Sequence, residues 1–69
     1  MKIIDAKTFG EAIRKKRKEQ GLTQKTVSDM TGISCSFISD VENGKETVEL
    51  GKAVFLANIL GLDIEITSR

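Results

Sequence analysis

The sequence predicts an all-α domain of about four short helices followed by a short C-terminal β-strand, and three observations predict it. No proline interrupts the chain, whereas Gly21, Gly32, Gly44 and Gly61 divide it into short segments, as residues able to take the left-handed conformation past a helix end. Asp5, Thr23 and Ser34, short side chains with an oxygen able to cap a helix, precede successive apolar-periodic stretches. After Gly61 the period changes, and Leu62 to Thr67 (LDIEIT) alternates apolar and polar as a half-buried strand does.

A first helix is expected from Asp5 as N-cap to about Gln20, with Ile4 and Phe9 at staple positions and Phe9, Ala12, Ile13 and Arg17 on its inner face. A second follows Thr23, turns Val27 and Met30 inward and stops near Thr31, barely two turns later. Ser34 caps a third, which Asn43-Gly44 ends. Thr47 or Glu49 opens a fourth reaching Leu60. Along it Leu50, Ala53, Val54, Ala57 and Leu60 fill one side, yet Phe55, Leu56 and Ile59 occupy much of the other. An apolar second side in so small a domain is exposed or covered by a partner.

Composition bounds the chemistry. A chain of 69 residues forms one domain, near the size at which a single core is marginal and a partner subunit often completes it. Its 39% hydrophobic and 30% charged residues are ordinary for a globular chain, no apolar run approaches the ~18 residues of a membrane span, and no signal-peptide core opens it. The expectation is a cytoplasmic protein with no membrane partner. One cysteine excludes an internal disulfide, and the absence of histidine removes the usual zinc sites and the histidine acid–base pair, so neither enzyme activity, metal nor cofactor is expected. With a net charge of only +1, affinity for a polyanion has to come from charge placement, and Arg14 to Lys18 gather five of the eleven basic residues. Arg14, Lys15 and Lys18 read equally as a solvated face.

The third helix carries the functional signal. At 100° per residue Phe37, Ile38 and Val41 share one side, and Cys35, Ser36, Ser39, Asp40 and Asn43 the other. Solvated faces usually carry Lys, Glu and Gln, which favour helix; serine and asparagine do not, and their short groups let a helix lie close against base edges in a DNA groove. A short helix, a tight glycine turn and a second short helix with a compact polar face make the helix-turn-helix layout.

LTQKTVSDMTGISCSFISDVENG resembles the helix-turn-helix of lambda-repressor-like (Xre-type) regulators, and with IRKKRKEQG before it the likeness covers most of the chain. It rests on Gln24, Gly32, Ile38, Glu42, Asn43 and Gly44 at these spacings. The resemblance implies double-stranded DNA as partner, with Gln24 bracing the backbone, Cys35 and Ser36 reaching base edges beside Asp40, and Lys45 touching phosphate. Lys25, Ser34, Ser39 and Asn43 complete the expected DNA-facing set. A local hydrogen bond at the helix N-terminus is the alternative role for Gln24. Where relatives often carry glutamine, Cys35 and Ser36 offer thin direct readout, so DNA shape carries more of the specificity, and Asp40 is repelled by phosphate unless it accepts from a cytosine amino group. The inward Arg17 needs a partner, and the resemblance pairs it with Glu42 as a structural ion pair.

A six-residue strand cannot stand alone in water. Its expected partner is the same segment of a second subunit, with Phe55, Leu56, Ile59, Leu62, Ile64 and Ile66 in a homodimer interface and a palindromic operator as the consequence. Residues 1–61 are then the DNA-binding domain and 62–69 the dimerisation tail. GKETVELGKAVFLANILGLDIEI as the second half resembles the HipB-like antitoxins of the Xre family, which implies a repressor of its own operon that binds a kinase-like toxin. Phage-type repressors and restriction-modification controllers share the first half, and a helical protein-interaction module without DNA binding is the alternative from another class.

Overall fold

The computed structural model describes Met1–Arg69 as four helices in series: α1 (Ala6–Glu19), α2 (Gln24–Thr31), α3 (Cys35–Glu42) and α4 (Leu50–Ile59). The first three start where a side-chain oxygen accepts a backbone N–H otherwise left without a partner. Asp5 accepts from Thr8 at 2.8 Å, Thr23 from Thr26 at 3.0 Å and Ser34 from Phe37 at 3.1 Å. The Thr8 hydroxyl in turn accepts the Asp5 amide, closing a reciprocal box. Hydrogen bonds from the Thr8 backbone and then its hydroxyl hold the Asp5 carboxyl below its ordinary range. Of the two residues able to open α4, Glu49 takes the N-cap position, but its side chain makes no capping bond. Gly32, with φ of 77°, ends α2 in the left-handed region and turns the chain into α3 within three residues.

Ile13, Val27, Ile33, Ile38, Val41, Leu56, Ala57 and Leu60 form one core fed by every helix, and each large side chain contributes on the order of 1.5–3 kcal/mol. α3 packs against both α1 and α2. Its approach to α1 is close: a Cβ on Gly10 would overlap the carbonyl oxygen of Val41, so only glycine fits at that point of α1. The far end of α1 is tied to α4, where Gln20 Nε2 donates to the Leu60 carbonyl at 2.7 Å.

Four expectations are corrected. Residues 62–69 form no strand: the Leu62 amide donates to the Ala57 carbonyl at the end of α4, and no backbone group of residues 63–69 pairs within the chain. Met30 and Leu50 do not turn inward: they are 59% and 75% exposed, since α2 buries Val27 and half-buries Thr31 with Met30 at the edge of that side, and Leu50 is the first residue of α4. Leu56 is fully buried in the core, so it cannot form a partner-facing stripe with Phe55 and Ile59, which remain exposed. Leu62 packs against the core, whereas Ile64 and Ile66 are exposed. No helix is long and apolar enough to cross a membrane.

Candidate nucleic-acid interface

The position of α3 is set by an ion pair beneath it. Arg17 Nε and Nη2 donate to the two carboxylate oxygens of Glu42 at 2.7 and 2.9 Å, and Nη1 donates to the Leu22 carbonyl at 2.8 Å. The side chains are only 10% and 3% exposed. This geometry is the two-pronged match of guanidinium to carboxylate, and it leaves no buried side-chain nitrogen or oxygen without a partner. Burial pushes the Glu42 carboxyl up, but hydrogen bonds from Arg17 and Gln24, with the charges of Arg17 and Arg14, outweigh it and hold the group below its ordinary value. The hydrogen bond to Glu42 raises Arg17 further above its already high value. One pair thus joins α1, the turn after it and the last residue of α3.

With its apolar side fixed in this way, α3 presents the opposite side to solvent. Cys35, Ser36 and Asn43 are exposed, and Ser39 and Asp40 are half-buried beside them. Asn43 Nδ2 donates to Ser39 Oγ at 3.2 Å, which orients both groups. Lys45 Nζ lies 3.5 Å from Asp40 Oδ2, and the Lys45 amide donates to the Asp40 carbonyl at 3.0 Å as the chain folds back beyond Asn43-Gly44. In the free chain this cation partly offsets the charge of the aspartate on this face. Ser34 belongs to the helix start, its hydroxyl accepting from Phe37, and Lys25 stands on α2 with Nζ 3.5 Å from Asp29. No group of three or more His, Cys, Asp or Glu side chains comes together that could hold a metal ion.

Three contacts at or beside the site have no signature in sequence spacing. Gln24 Nε2 donates to Glu42 Oε1 at 3.2 Å, so its amide is committed to the ion pair and joins α2 to α3. Lys52 lies 5.8 Å from the centre of the Phe37 ring, over the flank of α3. Gly10 admits α3 against α1. A polar residue at the first position of α2, a lysine in α4 and a glycine inside a helical pattern each have local explanations, and only the tertiary arrangement selects these.

The helix-turn-helix family model matches residues 13–66 of this chain. An uncharacterised HTH-type transcriptional regulator, y4mF, of Sinorhizobium fredii is 39% identical over 58 residues, which cover 84% of this chain and 76% of that protein. The ImmF control region 10 kDa protein of Bacillus phage phi105 is 31% identical over 64 residues, covering 93% and 71%. Among solved structures, HipB in an O4 20mer complex superposes with a TM-score of 0.88 at 24% identity, covering 99% of this chain and 96% of HipB. A HipB variant in an O2 20mer complex gives the same score and identity, covering 99% and 94%. At that identity the likeness to HipB is one of fold.

Proposed function

The chain belongs to the helix-turn-helix family of transcriptional regulators, of the Xre type, and from that premise we propose that it is a homodimeric, sequence-specific repressor acting in the cytoplasm on a palindromic operator. The observation that carries this reading is the face of α3: five short polar side chains, Cys35, Ser36, Ser39, Asp40 and Asn43, on a helix whose opposite side is locked by the Arg17–Glu42 pair. Such a face approaches base edges without the conformational freedom of long side chains. Lys45 and Lys25 flank it within reach of phosphate, Lys45 while staying beside Asp40. Gln24 positions α2 through Glu42 and keeps its carbonyl oxygen free. Residues 1–61 carry DNA binding and 62–69 the dimer contact. Repression follows from occupancy, since a protein on the operator excludes others from the same groove.

Within the family, the finer reading is a HipB-like antitoxin that represses its own operon and binds a kinase-like toxin. Its support is the fold match over 99% of the chain, tail included. A phage-type repressor is the second reading, favoured by the 31% identity to the phi105 protein.

Footprinting on the DNA upstream of the chain's own gene tests the main reading. A two-fold-symmetric protected site is expected, with affinity falling linearly on a log–log plot against salt as bound phosphates release their counterions. Absence of a protected site together with a flat salt response overturns it. Co-expression with the protein encoded beside it separates the finer readings, because an antitoxin relieves that protein's growth inhibition and a phage-type repressor does not.

A further inference from the structure

The two ends of the chain line one groove of about 810 Å³. Phe9, Ala12 and Ile13 of α1 and Ala57 of α4 lie along it with Met1–Ile4 and Leu62–Arg69. The end segments carry unused backbone groups: apart from the Ile4 amide, which donates to Thr8 Oγ1 at 2.9 Å, no backbone group of residues 1–4 or 63–69 is hydrogen-bonded within the chain. Each also bears exposed apolar side chains, Ile3 and Ile4 on one, Ile64 and Ile66 on the other. An apolar groove bordered by two unpaired edges is a seat for an extended strand.

Charge identifies the strand. Antiparallel pairing of two C-terminal segments about Ile64 sets Leu62 opposite Ile66 of the partner subunit and Ile64 opposite its own copy, which gives the most apolar contact. The same register sets Asp63 opposite Glu65 of the partner subunit, twice by symmetry, and like charges directly opposite destabilise a sheet. Centring on Ile66 avoids this clash and sets Asp63 opposite Arg69 of the partner subunit, but it sets Ile64 opposite Ser68 of the partner subunit and gives up the apolar pairing. The cation able to relieve the clash without losing the apolar pairing is Lys2, in the other end segment of the groove.

We propose that the C-terminal segment of a second copy enters this groove between Met1–Ile4 and Leu62–Thr67, and that Lys2 supplies the countercharge to its acidic residues. The product is a four-stranded sheet in the order N-terminal segment, partner's tail, own tail, partner's N-terminal segment. The inference rests on the dimer proposed above and adds to it an N-terminal strand that the dimer alone does not require.

Sedimentation equilibrium of the full chain tests it. Lys2→Glu is expected to raise the dimer dissociation constant about tenfold, and Lys2→Glu combined with Asp63→Lys to recover most of the loss. In a Cys35→Ser background, mixing a chain carrying Ile3→Cys with a size-tagged chain carrying Ile64→Cys is expected to give a mixed disulfide, because such bonds form only across Cα separations of about 4.4–6.8 Å. A wild-type dimer whose strength is unchanged by Lys2→Glu, or that gives no mixed disulfide, overturns the inference and leaves the dimer standing. A monomeric wild-type chain overturns both.

Discussion

Arg17 and Glu42 decide how α3 is held, and their energetics follow from burial. Two charges removed from water stabilise a fold only when each satisfies the other, and here every donor of the guanidinium that faces the protein meets an oxygen. Replacing one partner leaves a buried charge alone. Arg17→Met or Glu42→Leu is expected to destabilise the domain by about 3 kcal/mol or more, while the double variant recovers much of that loss. Unchanged melting temperatures in the single variants would contradict the pair's role. The pH dependence has a definite sign. Because the folded Glu42 carboxyl lies below its ordinary value of 4.5, its contribution is complete above that pH and is lost as pH falls through the lower folded value. Asp5 titrates in the same direction, so the comparison has to keep Asp5 intact. Acid unfolding curves of Glu42→Gln against wild type should converge as pH drops below 4.5, and parallel curves would assign the acid sensitivity elsewhere.

At the scale of the element, α3 joins a fixed side to a free one, and its exposed face can be altered without touching the core. Ser36 lies near the start of the helix on the open face and is exposed. Ser36→Glu is expected to leave stability within about 0.5 kcal/mol of wild type and to abolish specific operator binding, by repulsion from phosphate and loss of a short hydrogen-bonding group. A folded Ser36→Glu chain with full operator affinity sinks the assignment of this face. Helix starts at Asp5, Thr23 and Ser34 were legible in sequence because capping is local chemistry, one side-chain oxygen and one amide three residues on. The polar face of α3 was legible for a similar reason, since helical periodicity alone separates Ser36 from Ile38. The orientation of α4 was not. Its residues are apolar nearly all round, so nothing in the pattern distinguishes Leu56, wholly buried, from Leu50, exposed at the outer end. Met30 was misplaced because α2 turns Val27 and, one turn on, Thr31 toward the core, which leaves Met30 at the edge of that side.

For the whole molecule, the question is what covers the apolar surface that one chain leaves open. Phe55 and Ile59 on α4 and Ile64 and Ile66 on the tail are exposed, and beyond Leu62 the tail's backbone has no partner within the chain. Six residues of alternating strand pattern gain nothing from standing alone in water, and the dimer proposed above is what would give the alternation over Leu62–Thr67 a partner. In the proposed dimer, two copies joined about a two-fold axis through this segment present two α3 helices to one side, and recognition of half-sites about one turn of DNA apart, roughly 34 Å, rests on that joint. Deleting Leu62–Arg69 removes the joint but leaves the core nearly whole, since only Leu62 of that segment packs against it. The truncated chain is therefore expected to fold, to sediment as a monomer and to bind a single half-site far more weakly than the full chain binds the palindrome, because the second α3 no longer benefits from the high effective concentration that linkage provides. Melting identifies loss of fold, sedimentation loss of assembly and titration against half-site and full-site DNA loss of cooperation. A truncated chain that remains dimeric and holds the palindrome with full affinity would place the joint on α4 alone, at Phe55 and Ile59.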